Sequence, residues 1–237
     1  MDEIEKEKRW WEEHIDDESE LKKPYRSYYE YSRWRKTFGL IIDHYDFDEK
    51  RVFVGGCGSG IFEKQVNRVS KPKEIVGLDL SDKMIKLARI RNKNLENVRF
   101  IQGNLEGTRL PSNYFDVAVI IDALHHVPNP TKALKEMKRV SRDLILSEPN
   151  ALNPIRRINE LKFKNEDVKE SSFIKWELKK ILQELDYKKI TCYNYNFIPK
   201  FIPEKTIKFF ERIENKLEKF PLLKEFSGAI LIIAKGE

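Results

Sequence analysis

The sequence predicts an α/β fold in which a mostly parallel, doubly wound sheet carries helices on both faces. Three observations predict it. From residue 51 onward, short apolar runs of strand length alternate with segments of helical periodicity. Those runs are apolar on both faces, the pattern of strands covered on both sides. A glycine cluster sits where the first run gives way to a helix, a turn typical of such sheets.

Taken in order, residues 1–47 read as helices. Tyr28, Tyr31, Trp34 and Phe38 recur at three- or four-residue steps as one apolar stripe, and Lys23-Pro24 separates that helix from an earlier one carrying Trp10 and Trp11. RVFVG (51–55) is the first strand, and IFEKQVNRV (61–69) the helix after it. EIVGLDL (74–80) is the second strand, followed by a helix for which Ser81 is the N-cap. NVRFIQG (97–103) and FDVAVIID (115–122) are the third and fourth strands, 131–140 is a helix, and DLILSEPN (143–150) is the fifth strand. A helix over 172–185, strand YKKITCYNY (187–195) and strand GAILIIAKG (228–236) complete the series. Two stretches interrupt it: a connector at 149–171, and an insertion at 197–226 that is too long for an ordinary loop and should be structured. The chain thus divides into an N-terminal helical cap (1–47) and a cofactor-binding domain (48–237) that includes the insertion as a second cap element.

A hydrophobic content of 40% suffices for a packed core, and no apolar run approaches the roughly 20 residues of a membrane-spanning helix. MDEIEKEKRWW carries charges of both signs, unlike a signal peptide. Cys57 and Cys192 lack disulfide-framework or metal-site spacing, so a reduced, cytoplasmic protein without a metal is expected. Abundant Lys, Glu and Ile fits a thermophile. The net charge of +6 raises the question of nucleic acid, but the basic residues are interleaved with acids, as on solvated helix faces.

The segment VFVGGCGSG (52–60) places Gly56, Gly58 and Gly60 in the turn after the first strand. Glycine is needed there because the chain bends sharply and a ligand must approach where a Cβ would clash. The spacing is G-x-G-x-G, with Ile61 where a dinucleotide fingerprint requires its last glycine, so a nicotinamide-dependent oxidoreductase is disfavoured. Asp79 closes the second strand about 20 residues later, where an acid meets ribose hydroxyls in nucleotide-binding α/β folds. Its alternative role is a helix N-terminal acid favoured by the dipole.

The ordered series VFVGGCGSG, VGLDLSDKMIKLAR, FIQGNLEGTRLP and FDVAVIIDALHHVPNP, spanning about residues 50–150, resembles class I S-adenosylmethionine-dependent methyltransferases. It is most similar to those acting on small molecules and quinone-like acceptors. The resemblance implies a seven-stranded Rossmann-like sheet with its last strand antiparallel. It also implies S-adenosylmethionine as cofactor and S-adenosylhomocysteine as product. Carried onto this sequence, it puts Gly56, Cys57, Gly58 and Gly60 beside the cofactor and Asp79 on the ribose, with Leu80 and Met84 flanking the adenine. Asn104 and Leu105 would edge the adenine, Asn104 standing where the family more often has Asp. Asn104 can equally be a left-handed turn residue. Val54 occupies a position that the family usually fills with an acid.

Asp122, His125 and His126 follow the fourth strand, where ligands of open sheets bind. Asp122 is assigned to the cofactor, with His125 and Asp122 as candidate bases and His125 and His126 as acceptor wall. A packing or capping role competes for each. Tyr28 or Tyr29 could roof the acceptor and Arg33 or Arg35 face the cofactor carboxylate, although aromatic stripes more often pack. In the insertion, Ile207, Phe210, Ile213 and Leu217 share one helix side, while Lys205, Lys208, Arg212 and Lys219 fall mainly elsewhere. That pattern suits a cap for a greasy acceptor, a membrane-surface helix, or simple packing. The expected function is methyl transfer to a small apolar or aromatic metabolite. RNA methylation and a non-catalytic cofactor-binding protein are the alternatives, and oligomeric state is left open.

Overall fold

The computed structural model describes residues 2–14, 17–22, 25, 27–154, 156–157, 172–198, 203–217, 220 and 222–236. The break expected at Lys23-Pro24 and most of the connector after the fifth strand lie outside them. Three helices open the chain: α1 (Glu3–His14), α2 (Asp17–Lys22) and α3 (Tyr28–His44). The alternating part then runs β1 (Arg51–Gly55), α4 (Ile61–Val69), β2 (Glu74–Asp79), α5 (Asp82–Arg91), β3 (Val98–Gln102) and β4 (Phe115–Ile121). A 3₁₀ turn (Leu124–His126) leads to α6 (Pro130–Val140), β5 (Ser141–Pro149), α7 (Lys175–Glu184) and β6 (Lys189–Tyr195). Last come α8 (Glu204–Leu217), a 3₁₀ turn (Leu223–Phe226) and β7 (Ala229–Lys235).

Local chemistry fixes the helix starts. Ser81 Oγ accepts from the Met84 N–H at 3.3 Å, as its N-cap assignment predicts. Asn129 Oδ1 accepts from Lys132 at 3.0 Å, ahead of Pro130, whose missing N–H costs nothing in the first turn.

The seven strands lie in the order β3-β2-β1-β4-β5-β7-β6. β1 to β5 are parallel neighbours, whereas β7 runs antiparallel to both β5 and β6. Val117, Ala118, Val119 and Ile120 of β4 are all fully buried, as expected for a central strand with no solvated face. One face packs Phe53, Leu144 and Ile232 with Leu134 and Met137 of α6 and Leu178 of α7. The other packs Val52, Val119 and Ile233 with Ile41 of α3, Val66 of α4 and Ile85 of α5. Burial of each such side chain is worth about 1.5–3 kcal/mol, so the sheet rather than helix propensity holds the fold. The chain order reverses between β1 and β4, both continuing from the middle of the sheet, and this opens a crevice beyond their carboxyl ends.

Candidate cofactor site at the carboxyl ends of the strands

The glycine loop folds back over the end of β2. The N–H groups of Gly56 and Cys57 both donate to the Leu78 carbonyl, at 2.8 and 3.0 Å. Gly56 has φ +67°, and a Cβ there would stand 2.3 Å from Cβ of Ala123, so the β4 loop could not close on any other residue. Gly58 has φ +51°, and the space ahead of its missing Cβ holds no atom within 4 Å, which leaves the backbone open to a ligand.

Asp79 clasps this loop. Its Oδ2 accepts from the Gly58 N–H at 2.8 Å, and its Oδ1 from the Ser81 N–H at 2.9 Å. Burial pushes the Asp79 carboxyl above its usual range, and the N–H groups of Ser81, Gly58 and Leu80 oppose the shift. Each oxygen still has a lone pair to offer, since a carboxylate accepts about four hydrogen bonds.

In front of Asp79 lies a cavity of about 250 Å³. Gly56, Gly58 and Asp79 form one side; Leu80, Met84, Asn104 and Leu105 form an apolar slot; Asp122, His126, Val127 and Pro128 close the far side. Helix α1 adds Ile4 and Glu7, which were not foreseen, and Glu7 faces His126 Nδ1 at 3.1 Å. An open glycine edge, a carboxylate and an apolar slot match the chemistry of an adenosyl group. Among the described residues, no group of three or more His, Cys, Asp or Glu is arranged to hold a metal ion.

Asp122 follows β4 with φ +51°, a strained setting for a residue other than glycine, held by its N–H to the Ser147 carbonyl at 2.8 Å. Arg33 of α3 donates to Asp122 Oδ1 at 2.5 Å. Burial alone would weaken the Arg33 charge, but Asp122 outweighs it and raises the guanidinium's pKa. Arg35 instead turns outward to Glu211 at 3.4 Å, so of the two arginines only Arg33 reaches the site. Next to Arg33, the Tyr195 hydroxyl bridges Thr37 and Ser147, at 2.8 and 2.7 Å.

Other expected residues take different places. His125 is not on the described cavity wall; its Nδ1 meets Glu148 Oε2 at 2.7 Å, and its ring lies 4.0 Å from that of His126. Burial lowers the His125 pKa, but the Glu148 carboxylate overrides it and the net shift is upward. Glu148 is fully buried and also accepts from the N–H groups of Ala123 (3.2 Å) and Leu124 (2.7 Å), so one carboxylate shapes the whole 122–126 segment. Its only trace in the sequence is an acid beside Pro149 at the end of the fifth strand. Cys57 packs beneath the loop with Val54 and Phe62, and burial pushes its thiol up. Gly60 starts α4 at φ +75° and does not border the cavity. Asn104 does not adopt the left-handed conformation: its Oδ1 accepts from the Glu106 N–H at 2.9 Å in a local turn. Tyr28 packs edgewise on Tyr31, and the Tyr29 hydroxyl accepts from Asn196 at 3.3 Å, so neither lines the cavity.

Sequence reasoning also missed Glu63. It is fully buried on α4, and neither carboxyl oxygen has a hydrogen-bond partner. Its Oε1 lies 2.8 Å from where a Cβ on Gly77 would stand, and Gly77 pairs across the sheet with Val54. The strand position that lacks an acid therefore has a carboxyl beside it, delivered from the helix.

An open, mostly parallel sheet with a glycine loop, an acid at the end of β2 and a slot at its reversal point has the layout of Rossmann-like folds, in which nucleoside cofactors bind at that place. Residues 54–143 match the family described as "Methyltransferase domain". Demethylmenaquinone methyltransferase of Staphylococcus carnosus is 33% identical over 85 residues, 35% of this chain and 35% of that protein. Phthiotriol/phenolphthiotriol dimycocerosates methyltransferase 1 of Mycobacterium ulcerans is 33% identical over 99 residues, 42% of this chain and 36% of the relative. The chain thus aligns with little more than a third of either relative. A Thermotoga maritima crystal structure described as an S-adenosylmethionine-dependent methyltransferase, possible histamine N-methyltransferase, superposes over 100% of both chains with a TM-score of 0.67. At 16% identity that likeness shows the fold alone. The matched segment, a methyltransferase domain by description, covers the end of β1 to the start of β5, the part of the sheet that carries the cavity.

Proposed function

We propose that this chain is an enzyme transferring a methyl group from S-adenosylmethionine to a small, apolar or aromatic metabolite. The observation carrying the reading is the cavity that joins Gly58, Asp79 and Asp122 at the carboxyl ends of β1, β2 and β4, with Arg33 bound to Asp122 behind its wall. When bound, the cofactor supplies an electrophilic methyl group. Asp79 would accept the ribose hydroxyls while keeping the loop folded, and Leu80, Met84 and Leu105 would enclose the adenine, with the Asn104 amide at its edge. Arg33 offers a cation at the opposite end, suited to the cofactor carboxylate.

Alignment is the chain's main contribution, since a well-held reacting pair is worth about 7–11 kcal/mol. The segment Asp122–His126 forms the acceptor side and is fixed by Glu148. If the acceptor carries an ionisable hydroxyl or amine, His125 is the base: its Nδ1 is held by Glu148, which leaves Nε2 to take the proton. His126 serves as a wall of the pocket. Helices α1–α3 and the 197–226 insertion would act together as a cap over the acceptor. Their ends are joined by Ser32 donating to Glu211 at 2.5 Å and by Lys36 meeting Glu214 at 3.1 Å. The two relatives are named for a quinone and for a long-chain lipid, which supports an apolar acceptor. We place the reaction in the cytoplasm.

Calorimetry with S-adenosylhomocysteine and with NAD tests the cofactor, and a panel of quinols, phenols and fatty acids tests the acceptor. Absence of S-adenosylhomocysteine binding overturns the reading. Turnover of RNA with strong salt dependence, and none of the small molecules, would replace the acceptor class.

A further inference from the structure

The turn between α8 and β7 presents apolar side chains to solvent in close succession. Phe220 is 58% exposed, Leu222 83%, Leu223 45% and Phe226 50%, and Phe209 on α8 is 62% exposed. Four of these fall within seven positions, whereas the sheet immediately after them is almost wholly buried. Isolated exposed apolar residues need no explanation, but a contiguous group does.

The turn is held rigidly in place. Asn150 donates to the carbonyls of Glu225 and Ser227, both at 2.8 Å, and Asn153 donates to that of Phe226 at 2.9 Å. Because Pro149 pairs with Ala229, the group stands at the carboxyl edge of β5, on the sheet edge that also carries the cavity.

Charge decides what it meets. The nearby acids whose side chains are described have partners: Glu225 meets Lys175 at 2.6 Å, Glu211 meets Ser32 and Arg35, and Glu214 meets Lys36. Among the described side chains, the exposed positive charge of this region is carried by Lys205 and Arg212, with Lys224 half-buried on the turn itself. A second copy docking symmetrically on the same patch would set these cations against themselves. An anionic surface would be complementary to them.

We propose that the Phe220–Phe226 turn and the exposed face of α8 form a docking surface for an anionic lipid bilayer. Phe220, Leu222, Leu223 and Phe226 enter the headgroup boundary, and Lys205, Arg212 and Lys224 meet lipid phosphates. None of the described helices is long and apolar enough to cross a membrane, so the contact is peripheral. It stands on this surface alone and does not depend on what the cavity transfers.

The test is co-sedimentation of the full chain with phosphatidylglycerol–phosphatidylcholine vesicles, against pure phosphatidylcholine, at low and high salt. Binding to the anionic vesicles is expected to weaken with salt, at least tenfold in the double variant Leu222→Ser/Phe226→Ser, and roughly fivefold in Lys224→Glu. Because Leu222 is so exposed, Leu222→Ser alone gives a milder check if the double variant is less stable. Unchanged S-adenosylhomocysteine affinity and thermal unfolding would show that the site and fold are intact. Equal partition of wild type and variants overturns the proposal. So does patch-dependent dimerisation by light scattering without vesicle binding, which would assign the surface to a second copy.

Discussion

Glu63→Gln gives the sharpest test of the interior beneath the cofactor loop. The Glu63 carboxyl is fully buried with both oxygens unpartnered, and its pKa is pushed to about 8. Burial is the main cause, the neighbouring Asp79 adds to it, and the Glu63 backbone N–H and Arg91 oppose it. An unfolded chain releases this proton near the ordinary glutamate value, whereas the folded chain keeps it until about pH 8. Between those limits the unfolded state binds fewer protons, so stability must fall as pH rises, and it levels off above pH 8. At about 1.4 kcal/mol per pH step, the loss reaches at most about 5 kcal/mol, and water penetration on relaxation reduces that to about half, so a difference of at least about 2 kcal/mol is expected. A glutamine has no proton to lose. Urea unfolding at pH 5 and pH 9 should therefore show wild type losing more stability than Glu63→Gln, which keeps only the parts due to Asp79 and His125, whose pKa values are also raised. Comparing the two proteins cancels that shared part. Parallel stability curves would refute the reasoning, because the carboxyl would then be solvated or paired.

Further outcomes follow from the site. Asp79→Ala should weaken S-adenosylmethionine binding at least tenfold by calorimetry, since a charge-assisted hydrogen bond is worth about 1.5–3 kcal/mol. His125→Ala should lower turnover more than cofactor affinity; the reverse would make His125 part of the cofactor wall. If His125 is the base, rate should rise with pH as it loses its proton, at a value above the ordinary 6.5, and Glu148→Gln should move that rise to lower pH. His125 also adds stability that is present below pH 6.5 and lost as pH rises through its higher folded value, so Glu148→Gln should be most destabilising in acid. Arg33→Met should reduce S-adenosylhomocysteine affinity while Arg35→Met does not, because Arg33 meets Asp122 and Arg35 meets Glu211.

The strands were readable because their signal is local. An apolar run such as FDVAVII is a buried strand wherever it is placed, and a G-x-G-x-G turn between strand and helix can bend in only a few ways. Asp79 was legible for the same reason: it lies at a strand end, a fixed distance from the loop. Its second role, holding the Gly58 N–H, was not, because that contact needs the loop already folded back. Glu148 and Glu63 were invisible because an acid in a segment that mixes polar and apolar residues gives no sign of whether it faces solvent or core.

The sequence by itself therefore determined the fold class, the glycine turn after the first strand, the place of Asp79 at the end of the second, and that of residues 122–126 beyond the fourth. Tertiary structure alone decided which side chain of each pair stands where: Arg33 rather than Arg35 meets Asp122, and His126 lines the cavity while His125 is held behind it by Glu148. The physical reason is separation along the chain. Arg33 and Asp122 stand 89 positions apart, and His125 and Glu148 23 apart. Such partners meet only once the strand order has folded their elements to one edge of the sheet, and no pattern within a single helix or strand encodes that meeting.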